Sequence, residues 1–532
     1  EPLFAGAGWM HQNLPPDATV GAWNAGILSY FSQRQVVNLD GLVNSRSFFL
    51  ADRHDLCAYL DRVGIDYLVD AFDEEQPFDP YKEQIGLCTS DFEPVWDGPG
   101  YRSSPRRAMA FRRLETMIYT LDLRPDFETR VLQGRASIRL PPSSVATGAI
   151  ELPAPKLQIR SARLNGVDLT FEKVGRGWRM ALTPDQVRAT AATDQAAAAS
   201  LRLDLDYLAP AAAGLVFGEE YVHTAFFACH WLPCIGPDLD RASIEIRLDL
   251  PVGYRSVASG QPLAQTTPGQ HGWRQTQPYP LYTLGFAAGR FKEIADTASG
   301  TRLRYLALND DAAALRAKFA DSPRVLEFFE GKAGLPLPHP IYTQVLVPGS
   351  VAQEASSFSL IGHRMLDPII DDPQEDWVIA HEMAHQWWGN LVTCASWDEL
   401  WLNEGLAVFM TAAWKQHRWG EAAYGRELDL FHQTWSRARA AGFDKPLSWP
   451  GQYPSLRMKR SIHYSKAALF LHALREELGE SVFWQGLRRY TRDYAGRSVR
   501  AADFQAAMEQ AAGRSLQSIF ETWVYGAEPP KR

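Results

Sequence analysis

Between residues 117 and 250 apolar and polar side chains alternate in short runs, most clearly in Met117-Ile118-Tyr119-Thr120-Leu121-Asp122-Leu123 and again in 136–140, 201–208 and 243–250. Successive side chains of a strand point to opposite faces, so this period of two predicts antiparallel sheet with one buried and one wet face. From about residue 298 the period lengthens. Segments 312–320, 323–331, 373–388, 399–414, 465–478 and Ala501–Ala512 place apolar residues three and four apart, the spacing of helices that bury one stripe. The first hundred or so residues mix both patterns. Segments 19–24, 35–39 and 65–69 read as short strands and 56–63 as a helix stopped at Gly64, which together suggest a small α/β unit. Segment 97–107, rich in Gly, Pro, Ser and Arg, reads as a linker, and the alanine-rich 189–200 as a loop or brief helix without chemistry.

These changes of period divide the chain into a small α/β accessory domain (1–107), an antiparallel β domain of sandwich or saddle type (108–297) and a mixed, mainly helical domain (298–532). The fold class is multidomain α+β, since 532 residues are too many for a single core. Hydrophobic residues at 46% and charged residues at 22% describe an ordinary folded protein. A net charge of −8 argues against a general nucleic-acid binder. No apolar run reaches the roughly 18 residues a membrane helix needs. The chain opens at Glu1-Pro2 without methionine or signal peptide, and is read as a processed or excised portion of something longer. Five cysteines are too few for a disulfide scaffold. Cys57 and Cys88 fall in one domain and could bridge in an oxidising compartment. Cys229 and Cys234 flank Trp231-Leu232-Pro233 and make only a weak metal signal. Buried free thiols are the expectation for all five. Compartment and oligomeric state stay open at this level.

One part of the helical region carries chemistry. His381-Glu382-Met383-Ala384-His385 is followed, after eighteen residues, by Glu404. Residues four apart share a helix face, so His381 and His385 can grip one ion. Zinc accepts imidazole nitrogen and carboxylate oxygen tetrahedrally, and a catalytic site keeps one position for water. The two histidines and Glu404 supply three ligands, and Glu382 stands beside the first, where it can take a proton from that water. H-E-x-x-H alone also arises by chance. Its surroundings support a helix here: Asp372-Pro373-Gln374-Glu375 reads as a cap with a first-turn proline and carboxylate, and Gly389-Asn390 as a stop. One zinc ion and amide-bond hydrolysis are the expectation.

The run from His381 to Asn390 and the later Trp397-Asp398-Glu399-Leu400-Trp401-Leu402-Asn403-Glu404-Gly405 resemble the zinc signature of the aminopeptidase N family, whose catalytic domain is similar to thermolysin. Tyr464-Ser465-Lys466-Ala467-Ala468 is similar to its Y-x-K-G segment, and the run from Trp231 to Ala242 to its F-P-C-x-D-x-P segment. The resemblance covers roughly residues 108–530 and implies a thermolysin-like fold for 298–532. It implies His381, His385 and Glu404 as zinc ligands, Glu382 as general base and Tyr464 as donor to the oxyanion. From spacing alone, Tyr464 reads as a packing residue on a helix. The family's G-A-M-E-N motif corresponds to Val351-Ala352-Gln353-Glu354-Ala355, where only the glutamate needed to hold a substrate's α-amine is kept in function. A second amine-binding Gln or Glu is expected before Trp231, yet that position holds Thr224, with Glu219 and Glu220 out of register. The large C-terminal helical domain of longer members is expected to be missing, leaving a more open site.

The resemblance implies an aminopeptidase acting on peptide substrates. An endopeptidase or specialised peptidase is the alternative that the altered 351–355 stretch raises, and a silent peptidase fold that binds partners is a further one. A carbohydrate-active or carrier-binding role for residues 1–107 finds no supporting motif. Those residues, through 20–26 and 37–44, resemble extracytoplasmic portions of bacterial multispanning membrane proteins of the glycosyltransferase type. That likeness implies membrane helices upstream of Glu1 and a periplasmic or exterior location, against a cytoplasmic accessory domain.

Overall fold

The segments with a two-residue period fold as strands. The computed structural model describes residues 2–14, 18–39, 60, 65, 67–73, 92–100, 106–113, 117–141, 144, 148–183, 201–265 and 267–526. They belong to two compact units, one formed by Glu1–Met117, Arg139–Ala149 and Ala181–Arg202, the other by the rest of the chain.

In the first unit a five-stranded sheet runs in the order Gln35–Asn38, Thr19–Ala22, Tyr67–Asp73, Arg106–Arg113, Phe92–Gly100. Thr19–Ala22 pairs in parallel with both neighbours, and the last two pairings are antiparallel. Helices Pro2–Asn13 and Ala25–Ser32 bury small apolar residues with the sheet, among them Ala7, Met10, Leu28, Val69 and Ala110. Buried Asp70 accepts from the backbone N–H groups of Trp23 (2.6 Å) and Asn24 (2.7 Å), fixing the entry to the second helix. The expected α/β character is present. Neither helix shows in the spacing, because Gly6 and Gly8 weaken the first and the second has eight residues. The linker expected at 97–107 is overturned: 92–100 and 106–113 are paired strands. Gly98-Pro99-Gly100 sits on the sheet edge, where a missing N–H costs no ladder bond and register shifts absorb the glycines. The helix expected at 56–63, the alanine-rich 189–200, Cys57 and Cys88 lie outside the described residues.

The second unit carries an eight-stranded sheet that includes Met117–Asp126, Val131–Leu140, Leu201–Pro210, Arg241–Asp249 and Gln270–Pro280. Burial alternates along these strands as the sequence pattern requires. A five-stranded mixed sheet follows, in the order Lys292–Ala298, Thr301–Ala307, Ile341–Val347, Phe358–Gly362, Ala352–Ala355. Its last, four-residue strand is an edge and runs antiparallel to its neighbour. Helices Ser322–Ala333, Trp377–Ala384, Trp401–Trp419, Glu421–Ala440, Ala467–Asp493 and Ala501–Ala512 pack around a core in which Trp387, Trp388, Trp401 and Trp414 are fully buried.

Two helices depart from their expected limits. The segment 373–388 is helical only over Trp377–Ala384. The start is set by Asp376 and not by a cap at Asp372, because the buried Asp376 carboxylate accepts from Trp414 Nε1 (2.7 Å) and Trp419 Nε1 (3.3 Å). At the other end the chain folds back, with Asn390 N–H donating to His385 O. The segment 465–478 begins in a π-helical turn, Ser461–Lys466, and continues into the longer helix Ala467–Asp493, which is kinked at Gly479.

The expectation of five free thiols is also corrected. Cys229 and Cys234 form a disulfide, with Cα atoms 5.3 Å apart, so this pair is consumed and holds no metal. The tight turn at Ala228–His230, with Leu232 N–H donating to Ala228 O, brings the two sulfurs together. Cys394 is a buried free thiol, as expected. Among the described residues no helix is long and apolar enough to cross a membrane.

Two consequences are measurable. Closing so short a loop is worth about 2 kcal/mol, so Cys229→Ser lowers the unfolding free energy by about that amount, and non-reducing peptide mapping recovers the Cys229–Cys234 pair. Gly405 lies where helix Trp401–Trp419 meets Ala467, and a Cβ there would stand 2.4 Å from that of Ala467. Gly405→Ala, which stabilises an unobstructed helix by about 1 kcal/mol, therefore destabilises this one by about 2 kcal/mol in urea titration.

Candidate active site

His381 and His385 stand one turn apart at the end of helix Trp377–Ala384, and the i→i−4 bond from His385 N–H to His381 O keeps them on one face. Their Nε2 atoms approach to 3.2 Å. Glu404, in the first turn of helix Trp401–Trp419, places Oε2 at 3.4 Å from each. All three ligand atoms lie within 4.8 Å of one another, and no other such cluster of three occurs among the described residues.

The donor set fits a divalent cation. Trp388 O can only accept, so the 3.0 Å contact from His385 Nδ1 puts the proton on that nitrogen and frees Nε2 as a lone pair. Two imidazole nitrogens and a carboxylate oxygen then converge on one point, an arrangement that repels itself without a positive charge at its centre. Zinc satisfies it.

Burial raises the stakes. Glu354, Glu382 and Glu404 are each less than a tenth exposed. Burial pushes Glu354 up to about 7, against the pull of His385 and with a smaller push from Glu404. Burial likewise lifts Glu382 well above the carboxylate range, and its Oε2 has no hydrogen-bond partner among the described residues. For Glu404 burial acts upward, but the two imidazoles against it win and hold it below the usual range. Burial alone would lower His385, yet Glu354, Glu404 and Glu382 together raise it to about 10. His381 moves down, through burial first. Without a cation, the site keeps a proton on His385 to offset its carboxylates.

Tyr464 arrives from the π-helical turn, a device frequent at functional sites. Its ring lies against His381, centroids 6.3 Å apart and planes 14° from parallel. The close approach at Gly405 allows this, since the glycine also faces His463 O in the same turn. Burial, then Glu404, raises the Tyr464 hydroxyl well above its ordinary value, so it stays a proton donor.

Glu354 sits on the edge strand Ala352–Ala355, close enough to His385 to shift it. Its neighbour Gln353 is buried, donates to Tyr282 O (3.4 Å) and accepts from Phe226 N–H. Thr224 does not reach toward an amine: its hydroxyl donates to Phe286 O and accepts from Phe286 N–H, inside the sheet. Glu220 pairs with Arg290 at 2.8 Å, and Glu219 is exposed. Glu354 is thus without a second acidic partner from that stretch.

Several supporting residues escaped the sequence reading. Gln386 Nε2 and Asn390 Nδ2 both donate to Ala355 O (3.0 and 3.3 Å), and Ser357 N–H donates to Gln386 Oε1, tying the edge strand to the histidine helix. Asn403 accepts from Cys394 N–H and donates to Tyr282 Oη, which donates in turn to Gly389 O. Gly389 (φ 137°) is required, because a Cβ there would lie 2.8 Å from His385 Nδ1. Gln386, Asn390 and Asn403 flank motif residues and were findable by adjacency; Tyr282, a hundred residues upstream, carried no local signal.

Residues 318–523 match the Peptidase family M1 domain, and residues 5–113 match a domain of unknown function (DUF8728). Probable aminopeptidase 1 of Saccharolobus solfataricus is 25% identical over 398 residues, which are 70% of this chain and 49% of the relative. Aminopeptidase N of Lactococcus lactis subsp. lactis is 26% identical over 333 residues, 58% of this chain and 39% of the relative. The chain thus spans half or less of the length of these curated relatives. The crystal structure of M1 zinc metallopeptidase from Deinococcus radiodurans superposes with a TM-score of 0.61 at 20% identity, covering 79% of this chain and 94% of that one. A variant of that enzyme bound to a Tyr-Ser-Ala substrate superposes at 0.63 with 21% identity, covering 78% and 95%. The matched domain, the shared fold and a three-ligand cluster formed from the sequence signature together show that residues 318–523 of this chain carry a Peptidase family M1 domain.

Proposed function

We propose that this protein is a zinc-dependent aminopeptidase that removes N-terminal residues from peptides. The convergence of His381, His385 and Glu404 to within 4.8 Å carries the reading. One zinc ion held by these three residues would supply Lewis acidity, polarising the scissile carbonyl and making a water nucleophilic near neutral pH.

The chain's own groups divide the remaining work. Glu382, buried beside the first ligand with Oε2 unpartnered, takes the proton of the attacking water and returns it to the leaving nitrogen. Burial raises its proton affinity above that of an exposed carboxylate, which favours its taking the proton. Tyr464 Oη donates to the carbonyl oxygen as charge develops there, a contribution of about 3 kcal/mol for a well-placed donor. Glu354 pairs with the free α-ammonium, an interaction strengthened by its burial, and so sets cleavage at the first peptide bond.

The endopeptidase reading is favoured by one observation, the lack of a second acidic residue at Thr224 to bind the amine. The single buried Glu354 weighs against it. For location, the Cys229–Cys234 bond supports an oxidising, extracytoplasmic compartment.

Three experiments test the assignment. Glu382→Gln retains zinc by metal analysis and loses about a thousandfold in kcat; turnover like that of the parent would refute the base. A chelator abolishes hydrolysis of aminoacyl anilides and zinc restores it. Glu354→Ala raises KM for substrates with a free amine by at least about tenfold and leaves N-acetylated ones little changed, whereas an equal effect on both would sink the anchor and favour endopeptidase action.

A further inference from the structure

Arg457, Lys459 and Arg460 lie on the short helix Leu456–Arg460, directly before the turn that presents Tyr464. None of the three has an acidic partner among the described residues. In a chain with 62 acidic and 54 basic side chains, three unpaired cations next to one another need a reason.

Their placement gives one. The Arg460 guanidinium carbon is 6.0 Å from the centre of the Tyr464 ring, and its charge is felt at His381. Lys459 is half-buried with Nζ 5.7 Å from the Trp397 ring, and its charge is felt at His463. Carboxylates hold the strand and the two ligand helices, so the site carries charges of opposite sign on different elements. A short unblocked peptide has the same polarity, an ammonium at its first residue and a carboxylate at its last. An extended chain advances about 3.3 Å per residue, so a guanidinium 6.0 Å from the centre of the Tyr464 ring is within reach of a carboxylate one or two residues from a carbonyl held at the Tyr464 hydroxyl.

We infer that Arg460, assisted by Lys459, binds the terminal carboxylate of di- and tripeptides, making this site selective for short peptides with both ends free. Arginine suits the task because its planar fork matches a carboxylate with two parallel hydrogen bonds. The inference rests on the aminopeptidase reading above, which fixes where the ammonium end sits. A purely positioning role is the rival: a cation over the Tyr464 ring could steady the phenol, and would then matter equally for every substrate.

The test compares Leu-Gly-Gly with its C-terminal amide. Binding is measured by calorimetry on zinc-loaded Glu382→Gln protein, and turnover on the active enzyme. The free acid is expected to bind about tenfold tighter than the amide. In an Arg460→Gln background that ratio falls to near one, while Arg460→Lys keeps part of it. Equal binding of acid and amide by the parent protein overturns the inference, as does binding of neither, or a loss in Arg460→Gln that is the same for both. The two readings fail separately. Hydrolysis of aminoacyl anilides without acid–amide discrimination sinks only the carboxylate site; discrimination in binding without any hydrolysis sinks only the peptidase reading.

Discussion

Three carboxylates buried around two imidazoles set the terms for the rest of this structure. An isolated charge moved out of water costs several kcal/mol even after relaxation, and Glu354, Glu382 and Glu404 are all nearly sealed. Within the chain alone, the compensation is a proton retained on His385. A divalent cation replaces that proton with more charge and with directed bonds, so metal affinity and local folding are two sides of one balance. The surrounding architecture resists the self-repulsion in the meantime. Gly405 lets two helices close on each other, Gly389 lets the backbone pass beside His385, and the Asn403–Tyr282–Gly389 chain locks the ligand helices together.

Much of this was legible because its signals are local. The i,i+4 histidines fix their own geometry once the segment is helical, and Glu404 needs only a second helix to complete the set. The β domain was legible for the same reason: alternation in 201–208 or 243–250 is a direct record of which side chains are buried. The failures share the opposite cause. Asp376 starts the histidine helix because Trp414 and Trp419 reach it from another helix, and nothing near Asp372 announces that. Gly98-Pro99-Gly100 looked like a linker because composition cannot tell an edge strand from a loop. The Cys229–Cys234 pair was missed because the count of cysteines was weighed before the turn that brings them together.

The altered 351–355 stretch illustrates how a motif can lose its letters and keep its geometry. Gln353 is buried and engaged at both ends of its amide, to Tyr282 O and to Phe226 N–H, so it ties the edge strand to the segment just before the disulfide and to the turn at Leu281–Thr283. Ala355 has no polar side chain to offer, yet its carbonyl receives two side-chain donors from the turn that follows the histidine helix. These contacts fix the strand on both sides of Glu354. Its direction into the site is therefore imposed by the backbone and by its neighbours, and the glutamate needs no help from the glycine, methionine and asparagine of the family pattern. With Thr224 turned into its sheet, the proposed amine anchor is that one carboxylate, and a single anchor would discriminate less sharply between free and blocked peptides than a pair. The carboxylate site proposed at Arg460, beside Tyr464, would supply selectivity from the other end of the substrate.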